Sequence, residues 1–262
     1  MKYFDAHCHI QFDAYDADRE VLLASMKEAE VGGLIVGTDR ESSKRAVELS
    51  DGQYFFASVG LHPNDKPQEG YEPEYYASLG KEKHVVSIGE CGLDYYRPDH
   101  PDSEKERQIP VFKEQIELAA ELDKPLMIHS RPRKGSMDAY EDVIELLKEA
   151  KARHGEKVRG NMHFYVGDLE TTKKLLDLGF TFSFTAVLTF TNDYDEVVRF
   201  LPLSHILTET DAPYVAPAPN RGKRNDPLAV REVVKAIARI RGEEEEVVRE
   251  ETLKNAKRVF GI

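Results

Sequence analysis

Apolar and polar positions along the chain follow two alternating periods. Eight short apolar runs, residues 3–7, 32–37, 54–60, 85–90, 125–129, 159–164, 180–185 and 205–209, are separated by stretches where apolar side chains recur three and four positions apart. Leu22, Met26 and Ala29 show that spacing, as do Phe112, Ile116, Ala119 and Ala120. The runs have the length of buried strands, and the stretches between them have the spacing of helices with one apolar face. Strict alternation of the two predicts a parallel sheet with helical crossovers, an α/β chain. Eight such units predict a single (β/α)8 TIM-type barrel over residues 1–262, regular or distorted, with C-terminal helices. Those last helices are read at Pro227–Arg239 and Glu243–Phe260, split by Arg241-Gly242. A longer helix, Ser103 to Leu122, carries Pro110 as a kink or a break. The chain contains no internal repeat and no low-complexity linker.

The length of 262 residues suits one such barrel, whose usual size is about 250. Charged residues make up 32 % and hydrophobic ones 40 %, as in a soluble globular protein. No apolar run approaches the ~20 residues of a membrane span. The chain enters its first strand directly, with no signal-peptide pattern, and it has only two cysteines, Cys8 and Cys91. That usage argues against a disulfide framework and leads us to expect a cytoplasmic protein. A formal net charge of −12 argues against a broad basic face that grips nucleic acid. It leaves a phosphodiester substrate open, because divalent cations at the reacting phosphate would reverse the local field. The run Glu243 to Glu246 is read as favourable charge at a helix N-terminus.

The candidate chemistry lies at the ends of the runs. In Tyr3-Phe4-Asp5-Ala6-His7-Cys8-His9, the side-chain period of two puts Asp5, His7 and His9 on one strand face. Asp5 is then placed to orient an imidazole. Glu90, His129, His163 and Asp211 stand at or just past the ends of four later runs. A barrel collects its working residues at the carboxyl ends of its strands, so six candidate metal ligands from five strands converge on one mouth. Ionisable groups at buried strand ends need partners or a metal. The alternative is a set of independent buried ion pairs.

The sequence resembles the TatD family of metal-dependent deoxyribonucleases, within the amidohydrolase-like barrels. The resemblance covers essentially the whole chain. It rests on Asp5-Ala6-His7-Cys8-His9, Gly60-Leu61-His62-Pro63, Ile88 to Tyr96, Ile128-His129-Ser130-Arg131, His163, Thr208 to Tyr214 and Arg221 to Pro227. It implies a two-metal centre with His7, His9, Glu90 and Asp211 around one ion and Glu90, His129 and His163 around the other. Glu90 would bridge them, since one carboxylate offers two oxygens at the ~3.5–4 Å separation suited to in-line displacement at phosphorus. Histidine and carboxylate ligands suit Zn, Mn, Co or Fe, with Mg less at home. Two segments depart from the family pattern: Phe164-Tyr165-Val166-Gly167 after His163, and the longer, more basic Pro132-Arg133-Lys134-Gly135-Ser136 after Arg131.

The expected activity is hydrolysis of DNA phosphodiester bonds, as an exonuclease, by a metal-activated water. The alternative is a metal-dependent hydrolase of another bond, an amide, lactone or ester, on the same barrel. Asp211 is the candidate general base as well as a ligand, Glu90 the catalytic bridge, and His62 the group that touches the phosphate or protonates the leaving oxygen. Arg131 shares a strand face with His129 and offers a guanidinium fork to a phosphate. Arg224 and Asn225, in the basic loop Arg221 to Asn225, are assigned to substrate binding with Tyr95 and Glu209; Tyr96 and Tyr214 are further candidates for stacking on bases. Glu209, two residues before Asp211, is read as lying behind the ligands. Expected partners are a DNA substrate and no membrane, with a monomer or weak homo-oligomer.

Overall fold

Each of the eight apolar runs forms a strand. In the computed structural model, which describes residues 1–65, 70–96 and 101–262, these are β1 (Tyr3–Cys8), β2 (Val31–Val36), β3 (Phe55–Val59), β4 (Val85–Asp94), β5 (Leu126–Arg131), β6 (Gly160–Met162), β7 (Thr181–Phe184) and β8 (Ile206–Thr208). They form one parallel sheet in chain order. Helices α1 (Arg19–Glu28), α2 (Arg40–Leu49), α3 (Pro73–Gly80), α4 (Pro101–Glu121), α5 (Asp138–His154), α6 (Leu169–Asp177), α7 (Asp195–Phe200), α8 (Val230–Arg241) and α9 (Glu245–Phe260) fill the crossovers and the C-terminal stretch. This is the (β/α)8 barrel that the alternation predicts. Helix α4 continues through Pro110. Gly242, in the left-handed region at φ 68°, separates α8 from α9.

The barrel closes between β8 and β1 through few bonds, and they lie beside the predicted ligands. Asp211 N donates to His7 O at 2.9 Å and His9 N to Ala212 O at 2.8 Å, while Cys8 and Ala212 pair as a parallel bridge. The seam therefore fixes the backbone of three candidate ligands directly.

Strand β4 departs from expectation. The run was expected to end at Glu90, but the strand continues to Asp94, with a register shift against β5 between Ile88 and Cys91. Gly89 and Gly92 make this possible, with φ of 141° and 138°, values that a side chain rarely tolerates. A Cβ on Gly92 would sit 2.0 Å from His129 O. Glycine is an ordinary signal of a strand end; here it lets the strand bulge and go on.

Two apolar layers hold the elements. The larger packs the outer face of the sheet against the helices, with Phe112, Ile116, Val143, Leu147, Val233 and Ile237 among its buried members. The smaller fills the barrel interior: Phe4, Leu34, Phe56, Met127 and Leu207 meet Ala256 and Phe260 of α9. Helix α9 thus stoppers one end of the barrel, with the Phe4 and Phe260 rings 6.2 Å apart and Asn255 Nδ2 bonded to Ile206 O at 2.9 Å. The opposite end holds the site. Phe260→Ala is expected to lower the unfolding free energy by about 3–5 kcal/mol, read by chemical denaturation, while leaving metal affinity intact. Parallel loss of metal affinity would show that the stopper and the site are coupled.

Candidate metal centre

Glu90, 3 % exposed, has imidazoles facing both of its carboxylate oxygens. Its Oε2 lies 3.3 Å from His7 Nε2 and 3.7 Å from His9 Nε2. Asp211 Oδ1 completes that group, 3.8 Å from His7 Nε2 and 3.4 Å from His9 Nε2. The other oxygen, Oε1, lies 3.0 Å from His129 Nδ1, 2.9 Å from His163 Nε2 and 3.4 Å from His62 Nε2. The barrel thus brings all six predicted ligands together around one carboxylate, and three overlapping triads, His7–His9–Asp211, His7–Glu90–His163 and His62–Glu90–His129, have ligand atoms close enough to share an ion.

Hydrogen bonds at the far side of the His9, His129 and His163 rings indicate which nitrogen carries the proton. His9 Nδ1 faces Val36 O at 2.7 Å and must donate, which leaves the Nε2 lone pair pointing inward. His163 Nδ1 faces Glu209 Oε1 at 3.3 Å, and His129 Nε2 faces Asp94 Oδ2 at 3.2 Å. Their inward nitrogens, His129 Nδ1 and His163 Nε2, lie 3.3 Å apart. His7 Nε2 and His9 Nε2 lie 3.1 Å apart. Lone pairs that close repel unless a proton or a cation stands between them, and imidazole with carboxylate is the donor set of divalent first-row metals. The residues therefore fit divalent ions of that kind.

His62 is different. Its Nδ1 accepts the Asn64 backbone N–H at 3.1 Å, so the neutral ring carries its proton on Nε2, the atom that faces Glu90 Oε1. Burial lowers its pKa to about 3, against the opposing pull of Glu90, and the ring stays neutral. His62 is thus built as a hydrogen-bond donor rather than a ligand. Burial pushes the Glu90 pKa up, but the fields of His163, His62 and His7 and the His129 bond outweigh it and hold the group well below the usual carboxylate range. For His163 burial lowers the pKa, and Glu90 and Glu209 together raise it well above the ordinary value. Burial lowers His9 and His129 as well, but Asp211 with Glu90 raises His9 and Asp94 with Glu90 raises His129, while His7 is lowered by burial and by the charge of His163.

The chain matches the model of the TatD-related DNases over residues 4–261. The chain belongs to that family. It is 37 % identical to a Bacillus subtilis protein described as an uncharacterized metal-dependent hydrolase, YabD, over 99 % of both chains. It is 34 % identical to the similarly described YcfH of Escherichia coli, over 98 % of this chain and 95 % of the other. The crystal structure of YjjV, a TatD homolog from Escherichia coli K12, superposes with a TM-score of 0.88 at 26 % identity, covering 100 % and 98 % of the two chains. As a TatD-family member the chain is a metal-dependent hydrolase.

Around this TatD-type centre, a cavity of about 780 Å³ opens to solvent, lined in part by His9, His62, Glu90, His129, His163 and Asp211. Arg131 lines it as well. Four residues assigned to substrate binding do not. Tyr95 is 3 % exposed and its hydroxyl donates to Asp142 at 2.9 Å; its neighbour Tyr96 is the exposed ring. Arg224 holds Asp18 at 2.5 and 2.8 Å, and the two ion-paired side chains tie the basic loop down. Asn225 is buried, with Nδ2 3.3 Å from Thr210 O and from Val215 O, so it braces the turn that carries Asp211. Glu209 is fully buried; its Oε1 accepts the Phe164 N–H at 2.6 Å and faces His163. It supports a ligand and does not reach the cavity.

Asp5 orients backbone instead of a ring. Its Oδ1 accepts Thr210 N at 2.9 Å and His7 N at 3.2 Å, while His7 Nδ1 has no hydrogen-bond partner among the described residues. Sequence reasoning assigned no role to Asp94, which backs His129 and accepts from Asn64 Nδ2 at 2.8 Å. The signal was present, since Asp94 lies four residues past Glu90 in the same glycine-punctuated run. It also missed Phe12, whose ring stacks on His9 with centroids 4.5 Å apart.

Asp94→Ala is expected to weaken metal binding by about 10- to 100-fold, measured by calorimetric titration with Mn²⁺ or Zn²⁺; unchanged affinity would remove Asp94 from the support of His129. Because His163, His9 and His129 are raised, they hold protons to higher pH than free imidazole, and a metal must displace them. Metal binding near neutral pH is therefore expected to release protons, with affinity falling as pH falls through the raised values. Calorimetry in buffers of different ionisation enthalpy reads the release, and none would contradict the direction of these shifts.

Proposed function

We propose that the chain hydrolyses DNA phosphodiester bonds from a strand end, using two divalent ions held by His7, His9, Glu90 and Asp211 and by Glu90, His129 and His163. The observation that carries this reading is the division of Glu90: each carboxylate oxygen faces its own cluster of imidazoles. Bound ions supply Lewis-acid polarisation of the phosphoryl group and a lowered pKa for water. The chain's own residues do the rest.

Asp211 is the proton acceptor. Its Oδ1 faces His7 and His9, and among the described residues its other oxygen has no protein partner, so it can take a proton from an attacking water. His62 presents its Nε2–H at the mouth and donates to a phosphoryl or leaving oxygen. Arg131 binds a phosphate oxygen through a guanidinium that carries no carboxylate partner among the described residues. Buried, unpaired thiols at Cys8 and Cys91 suit a cytoplasmic setting. Among the described residues no helix is long and apolar enough to cross a membrane.

The test compares metal-reconstituted protein on single-stranded DNA and on generic esters and lactones. Turnover of DNA alone supports the reading, and turnover of esters or lactones alone replaces it. Glu90→Gln is expected to abolish activity with the fold retained by circular dichroism. His62→Ala is expected to lower kcat by about 100-fold or more with bound metal unchanged by elemental analysis, whereas His163→Ala loses metal. Loss of metal in His62→Ala would make His62 a ligand.

A further inference from the structure

A second cavity, of about 630 Å³, adjoins the mouth, within the ~300–1,000 Å³ typical of small-ligand pockets. Its walls are the loop between β5 and α5 and the first turn of α6, and it shares Arg131 and Val166 with the metal-centre cavity. At that junction the Arg131 guanidinium lies 4.1 Å from the centroid of the Tyr96 ring, which is 50 % exposed. Four cations line the second cavity, and two are committed: Arg133 to Asp138 and Lys174 to Glu170. Arg131 and the exposed Lys134 have no carboxylate partner among the described residues. Glu141 and Asp168 also line the cavity, while the charge of Glu170 is taken up by Lys174.

We propose that this cavity is a subsite for one nucleotide unit flanking the scissile bond. Resting on the phosphodiester reading, it assigns the flanking phosphate to Arg131 and Lys134 and the flanking base to the face of Tyr96. The guanidinium already stacked on that ring keeps the aromatic surface in place, and every base has a face to stack.

The test uses Lys134→Ala and Tyr96→Ala, both at exposed positions, with two probes. One is a short fluorescein-labelled single strand with hydrolysis-resistant phosphorothioate linkages, read by anisotropy; the other is bis(p-nitrophenyl) phosphate, a single diester that reaches the metal centre alone. Tyr96→Ala is expected to weaken the strand about tenfold, and Lys134→Ala to reduce the salt slope of binding by about 0.7. Both variants should lose more on the strand than on the small diester. Equal losses on both probes, or none on the strand, overturn the subsite and leave the phosphodiester reading standing. If wild type hydrolyses neither bis(p-nitrophenyl) phosphate nor DNA, that reading fails and the subsite, which flanks the bond cut, falls with it.

Discussion

A carboxylate buried at the mouth of a barrel has to be balanced, and Glu90 is balanced from both sides. His7 and His9 face one oxygen and His129, His163 and His62 the other. With desolvation opposing its charge, Glu90 stays ionised only because these rings surround it. The same rings crowd their own lone pairs together, which is unfavourable until protons or cations share them. The arrangement is poor as a set of independent ion pairs and good as a cage for positive charge.

The cage depends on how the barrel closes. Strand β8 has only three residues and leaves little ladder at the seam. Bonds from Asp211 and Ala212 to the backbone around His7 and His9 make up part of the closure, and Asp5 adds Thr210 to it. Closing the sheet and setting the ligands are therefore one event. Asp211 and Phe164 both carry positive φ, at 53° and 44°, and each is held by a bond from its surroundings, to His7 O and to Glu209 Oε1 respectively. Positive φ on residues with a Cβ, beside candidate ligands, is backbone strain of the kind that functional sites store.

Around the cage, paired and unpaired cations differ in role. Arg224 and Arg133 are positively charged in the sequence but are tied to acids in the fold, so they shape loops. Arg131 and Lys134 have no such partner among the described residues and lie beside the mouth. In a chain of net charge −12, local pairing and not overall sign decides which surface an anion can approach.

Hydrophobic periodicity made the barrel legible in advance, since each strand and helix buries a face whose spacing is written locally. The six candidate ligands were legible too, because strand ends in a barrel share one mouth whatever their distance in sequence. Pairings that depend on three-dimensional neighbours were not: Arg224 with Asp18, Tyr95 with Asp142, Asn225 with the Thr210 carbonyl and Asp94 with His129 all join groups remote in the chain. The run of β4 past Glu90 was hidden for a related reason, as glycine ends a strand or bulges it according to what lies alongside. Sequence alone therefore determined which elements form and which residue types meet at the mouth, through local period and a topology with one working end. Only the tertiary structure decided which nitrogen of each ring faces inward and which cations stay free, because both are set by contacts across the fold.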